Sequence, residues 1–144
     1  MAKILSSPGK HVQGAGELKK LGTYAEGLGK NALILISKGG YKRIGKEIEK
    51  SFADADCTLY FDYFNGECSK NEINRLKKIM EEKGCDLVIG IGGGKIFDTA
   101  KAAAYYENTP VIICPTIAST DAPCSACLLY TSLRGLQETI LSPH

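Results

Sequence analysis

The sequence predicts an α/β fold, a parallel sheet with helices on both faces. Three observations predict it. Strand-like and helix-like periodicities alternate along the 144 residues, the order that builds parallel sheets covered by helices. The segments 32–36 and 110–114 are short continuous apolar runs, as strands buried on both faces require. A third such run, 87–91, passes straight into a glycine triplet and a helical pattern.

Taken in order, residues 10–13 read as a short strand, and 17–28 as a helix with Leu18, Leu21 and Leu28 on one face. The strand 32–36 follows. Gly39-Gly40 reads as a turn, after which Ile44, Ile48 and Phe52 recur at helical spacing. Residues 58–64 are rich in aromatics and suit another strand. Ser69-Lys-Asn-Glu72 is a capping box, with Ile73, Leu76, Ile79 and Met80 behind it at helical spacing and Gly84 as the stop. The strand 87–91, the glycine turn and a helix through Tyr106 with Ala100, Ala103 and Ala104 come next. The strand 110–114 ends at Pro115.

A chain of this length fits one domain and buries about two-thirds of its unfolded surface. Its 18 basic and 16 acidic side chains nearly balance, and no basic stripe alternates with aromatics. That argues against nucleic acid as a partner. The apolar runs are far too short to span a bilayer, and the first residues lack the apolar core of a signal peptide. A soluble, cytoplasmic protein without a membrane partner is the expectation. The six cysteines, at 57, 68, 85, 114, 124 and 127, fall beside strand-like segments and read as small packed hydrophobes. Cys124 and Cys127 form a C-x-x-C, but no second pair stands at zinc spacing.

The chemistry concentrates in 86–101. Gly92, Gly93 and Gly94 let the backbone bend sharply and come close to a diphosphate. The helix behind them offers unpaired N–H groups to the same anion, and Lys95 adds a point charge. Gly94-Lys95 is followed by Ile96, so the hydroxyl of a Walker motif is missing. The alternate spacing of Gly90, Gly92 and Gly94 also departs from Gly-x-Gly-x-x-Gly. A nucleotide of unspecified kind is the reading. In the loop 115–125, Thr116, Ser119, Thr120 and Ser125 offer hydroxyls suited to a ribose or carboxamide, and Asp121 is the only charge. Such residues are also common in ordinary loops.

Four motifs together, Ser-Pro-Gly-Lys at 7–10, Gly-Glu-Cys-Ser at 66–69, Gly-Ile-Gly-Gly-Gly-Lys at 90–95 and Pro-Thr-Ile-Ala-Ser-Thr-Asp-Ala-Pro-Cys-Ser at 115–125, resemble the glycerol dehydrogenases. These belong to the iron-containing alcohol dehydrogenase and dehydroquinate synthase-like group. The resemblance implies a Rossmann-like NAD-binding domain over 1–126, oxidation of glycerol or a related polyol with NAD, zinc as the metal, and a homo-oligomer at full length. It implies that Gly93, Gly94, Lys95 and Asp98 lie on the diphosphate turn, that Thr116, Ser119 and Ser125 contact the cofactor, and that Asp121 lies near the substrate hydroxyls. Cys127 and Tyr130 inherit cofactor contacts from it as well.

Three departures carry consequences. Ser37, followed by Lys38, stands where the resemblance implies an Asp on the adenosine ribose, which would relax the preference for NAD over NADP. The register slips after Ala126, and 127–144 reads as an unmatched tail, from a shifted frame or a shortened end. The zinc ligands implied by the resemblance, an Asp and two His, belong to a second, helical domain that the chain stops short of. Nucleotide binding without turnover is therefore the expectation for this chain alone. Other polyol or glycerol phosphate dehydrogenases of the group, and a non-catalytic nucleotide-binding module, are the alternatives; a phosphate-bearing substrate would call for Lys or Arg in 115–127, which has none.

Overall fold

The computed structural model describes the backbone of residues 9–13, 20–116 and 126–130, and side chains over 20–116. Ten elements follow one another: β1 (Gly9–Gln13), α1 (Leu21–Glu26), β2 (Asn31–Ile36), α2 (Lys38–Ser51), β3 (Thr58–Tyr63), α3 (Lys70–Lys83), β4 (Leu87–Gly92), α4 (Gly94–Glu107), β5 (Val111–Pro115) and β6 (Ala126–Tyr130). They form one sheet in the order β1-β6-β5-β4-β2-β3. The four strands β3, β2, β4 and β5 are parallel, as expected. β6 runs antiparallel beside β5, and β1 antiparallel beside β6. Residues 127–130, set apart as tail in the sequence reading, are therefore part of the sheet.

Alternation along the strands divides the core into two layers. Ala32, Ile34 and Ile36 of β2, with Leu87, Ile89 and Ile91 of β4, face α1 and α2 through Leu21, Ala25, Ile44, Ile48 and Phe52. Leu33 and Leu35 of β2, with Val88 of β4 and Val111 and Ile113 of β5, face α3 and α4 through Leu76, Met80, Ala100, Ala103 and Ala104. The small residues of α4 let it lie close on the sheet. A Cβ on Gly90 would stand 2.9 Å from that of Ala100, so β4 and α4 touch almost backbone to backbone at that point.

Two local expectations change. Gly39 and Gly40 do not form a turn but lie in the first turn of α2, which Ser37 caps by accepting from the Gly40 N–H at 3.0 Å. A Cβ on Gly40 would come within 3.0 Å of Ile36 Cγ1, so glycine there lets the helix start tight against the strand it leaves. The helix expected over 17–28 is confined to Leu21–Glu26 within the described residues. The α3 boundaries match expectation: Ser69 Oγ accepts from Glu72 N–H at 3.2 Å, and Gly84 closes the helix at φ 65°. At the opposite end of the sheet from the glycine turn, the Asp86 carboxylate accepts from the N–H groups of Lys30 and Asn31 and ties the starts of β4 and β2 together.

Candidate nucleotide-binding site

β2 and β4 are neighbours, with Ile36 level with Ile91, yet the chain leaves them in opposite directions. From β2 it enters α2 on one face, and from β4 it enters α4 on the other. A crevice opens between the two exits, at the carboxyl end of the sheet. Ligands of open α/β sheets sit at such switch points.

The glycine turn forms one wall. Gly92 has φ 146°, in the region that side chains other than glycine rarely adopt. Its carbonyl accepts from the Thr116 N–H at 3.1 Å, which fastens the exit of β5 to the turn. Gly93 and Gly94 differ from it. Gly93, the N-cap of α4, sits at φ −115° and ψ −166°, and Gly94 begins the helix. A Cβ on either would meet nothing within 4 Å. Neither backbone strain nor internal packing asks for glycine at these two positions, so the space they keep open faces outward. The first intrahelical bond runs from Phe97 N–H to Gly93 O. The N–H groups of Gly94, Lys95 and Ile96 therefore lie ahead of it and point toward the open space. This arrangement fits a diphosphate: donors, no side-chain obstruction, and the positive end of a 14-residue helix.

Lys95 leans over the mouth of the crevice, where its ammonium donates to Glu67 Oε2 at 3.2 Å. Both side chains are mostly exposed, 65% and 74%, so the pair holds weakly and a stronger anion can displace it. Thr99, buried on the next turn, donates to the Lys95 carbonyl at 2.8 Å. Asp98 is exposed on α4. Burial lowers the pKa of Lys101, against the opposing charge of Asp98.

Glu67 belongs to the loop after β3, which a partly buried network holds in place. Arg75 makes a two-pronged bond to Asp62 at 3.0 Å and a second to Glu72 at 2.9 and 2.7 Å. The Glu72 carboxylate also accepts from Asn65 N–H. Burial alone would raise the Glu72 pKa, but its bonds to Arg75 and Asn65 outweigh burial and leave it lowered. The same carboxylates hold the Arg75 guanidinium charged. Glu72 reads in the sequence only as half of a capping box; its spacing to Arg75, one helical turn, is the signal that could have exposed the network.

Of the residues expected at the site, Gly93, Gly94, Lys95 and Thr116 come together around one turn, and Ser37 stands on the opposite wall of the crevice. Asp98 lies a turn further along α4. Ser119, Asp121 and Ser125 fall outside the described residues. Cys127 and Tyr130 lie on β6, and Tyr130 pairs with Val111, the first residue of β5. The backbone of Tyr130 thus stands at the end of the sheet away from the glycine turn. Among the described residues no group of three or more His, Cys, Asp or Glu could hold a metal ion, so those residues offer no site for zinc. Cys57, Cys68, Cys85 and Cys114 form no disulfide among the described residues, and burial pushes the thiol of Cys85 up to about 11. No helix among the described residues is long and apolar enough to cross a membrane.

Fold and crevice define a doubly wound α/β domain with an open glycine turn at its switch point. The model of the iron-containing alcohol dehydrogenase family matches residues 8–144, and the chain belongs to that family. The match takes in the segment after Ala126. The chain is 45% identical over 145 residues to a glycerol dehydrogenase of Escherichia coli O6:H1, an alignment that covers 100% of this chain and 40% of that protein. A glycerol dehydrogenase of Thermotoga maritima is 46% identical over 126 residues, 86% of this chain and 34% of that protein. The crystal structure of glycerol dehydrogenase from Schizosaccharomyces pombe superimposes with a TM-score of 0.71 at 34% identity, covering 84% of this chain and 31% of that one. The chain thus spans 40% or less of the length of these relatives.

Proposed function

We propose that this chain is the nucleotide-binding part of an NAD-dependent polyol dehydrogenase, with glycerol as the substrate and dihydroxyacetone as the product. One observation carries the nucleotide assignment: Gly93 and Gly94 leave an open cradle that nothing among the described residues requires. The diphosphate would accept hydrogen bonds from the N–H groups that open α4, and Lys95 would exchange Glu67 for a phosphate oxygen. Thr99 holds the first turn of α4 in shape, and Thr116 anchors the neighbouring exit of β5 against the turn. Bound NAD supplies a hydride acceptor for the carbinol C–H, and the hydroxyl proton leaves to solvent.

The polyol assignment rests on the relatives and on the loop 115–125. Asp121, its only charged residue, would accept from substrate hydroxyls, while Ser119 and Ser125 would serve the cofactor. The absence of Lys or Arg from 115–127 favours an uncharged polyol over a glycerol phosphate. Zinc enters no step that these residues perform.

Titration with NADH, followed by its fluorescence and by calorimetry, tests the reading. Saturable binding is expected, weakened roughly tenfold by Lys95→Ala, as loss of one charged contact to phosphate implies. Absence of saturable binding by the protein overturns the nucleotide assignment. Glycerol-dependent reduction of NAD by the full-length protein tests the polyol assignment separately.

A further inference from the structure

The wall of the crevice opposite the glycine turn decides which adenosine the site accepts. A site selective for NAD places a carboxylate at such a strand end, where it accepts from the ribose hydroxyls and repels a 2′-phosphate. Here β2 is followed by Ser37 and Lys38, both exposed. Ser37 Oγ already accepts from Gly40 N–H, so its remaining strong capacity is as a donor, which suits an anion. Lys38 has no carboxylate within ion-pair distance among the described residues.

Among the described residues, three carboxylates on β3, on α3 and in the loop between them are engaged. Asp62 and Glu72 are bound by Arg75 on the other face of the sheet, and Glu67 is paired with Lys95. β3 ends beside β2, with Tyr63 level with Ile36. The Tyr63 ring is 42% exposed, one of two large hydrophobic side chains so exposed among the described residues. It packs edge-on against Tyr41, with ring centroids 5.8 Å apart. The Lys38 ammonium lies 6.0 Å from its centroid. An aromatic surface, an ammonium and a donor hydroxyl thus meet where the two strands end.

We propose that this crevice accepts nucleotides bearing a 2′-phosphate, with Ser37 and Lys38 receiving the phosphate and Tyr63 lying against the adenine. The inference rests on the nucleotide reading above and adds the choice of cofactor to it. NADP and NADPH become ligands on a par with NAD and NADH, and 2′,5′-ADP a better ligand than 5′-AMP.

Calorimetric titration with NADH, NADPH, 2′,5′-ADP and 5′-AMP tests it on the full-length protein. Dissociation constants for NADPH and NADH within roughly fivefold of each other are expected, since one phosphate contact on a solvent-exposed wall is worth about that ratio. Lys38→Glu should turn the NADPH-to-NADH preference against NADPH by about tenfold or more. Ser37→Asp should do the same, because aspartate caps a helix as well as serine does and the fold is kept. NADH binding about a hundredfold tighter than NADPH overturns the inference and leaves the nucleotide reading standing. A preference unmoved by both substitutions overturns the roles of Ser37 and Lys38. Failure of all four ligands to bind overturns the nucleotide reading and this inference with it.

Discussion

Gly94→Ala separates the demands of the fold from those of the ligand. Gly94 occupies the first position of α4 without a positive φ, and a Cβ there would touch nothing within 4 Å. Alanine then fits the native backbone and narrows the unfolded ensemble, which stabilises by about 0.4–1 kcal/mol. For a domain of this size that raises Tm by roughly 1–5 °C. The same methyl group would project into the open space in front of the unpaired N–H groups. Holding a phosphate oxygen away from one such donor removes a charge-assisted hydrogen bond worth about 1.5–3 kcal/mol, and so weakens NADH roughly ten- to a hundredfold. Thermal unfolding and an NADH titration on the same preparation read both effects. A gain in stability with loss of binding is the expected pair of results. An unchanged NADH affinity would refute the cradle, and a marked fall in Tm would refute the open space.

Two further substitutions probe the frame around the site. Arg75→Met leaves Glu72 buried without its main partner and frees the loop that carries Glu67. A loss of about 2 kcal/mol in urea unfolding is expected, less than the about 3–5 kcal/mol of a fully buried pair because the guanidinium keeps contact with solvent. Replacing Glu72 by Gln in the same chain should recover part of that loss. At the far end of α4, burial first and then a hydrogen bond with Glu81 raise the pKa of Glu107. A raised carboxylate contributes stability that is fully present below its unfolded value of about 4.3 and is lost as pH rises through the folded value. Glu107→Gln should therefore flatten the fall in Tm as pH rises above about 4.3, and an unchanged slope would exclude the carboxylate pair as its source.

Local chemistry made much of this molecule legible in its sequence. Ser69 and Gly84 bound a helix because a hydroxyl cap and a left-handed stop act within one turn. The run 87–91 and the glycines after it needed only their immediate neighbours to be placed. Long-range facts were not legible in the same way. Gly39-Gly40 has the composition of a turn, and only the nearness of Ile36 shows that Gly40 serves close packing. The antiparallel seat of β6 beside β5 also depends on β1, which lies far from it in the chain. The exposed ring of Tyr63 reads in sequence as one more aromatic of a strand. What marks it is its neighbour across the strand pair, a geometry that no spacing along the chain encodes. Glu67 gains its meaning in the same way, from a lysine on another element.

The pairing of β1 with β6 has a consequence for the life of the nascent chain. β1 precedes the rest of the sheet in the chain, and its partner is the last described strand. The ends of that pair are separated by on the order of a hundred residues, a closure whose entropy must be met before any of its hydrogen bonds form. The four parallel strands can assemble while the amino-terminal strand still waits. Until β6 is in place, β5 presents an open edge where β6 belongs, and β1 has no partner through which to join the sheet. Such edges are what holdase chaperones and neighbouring nascent chains bind.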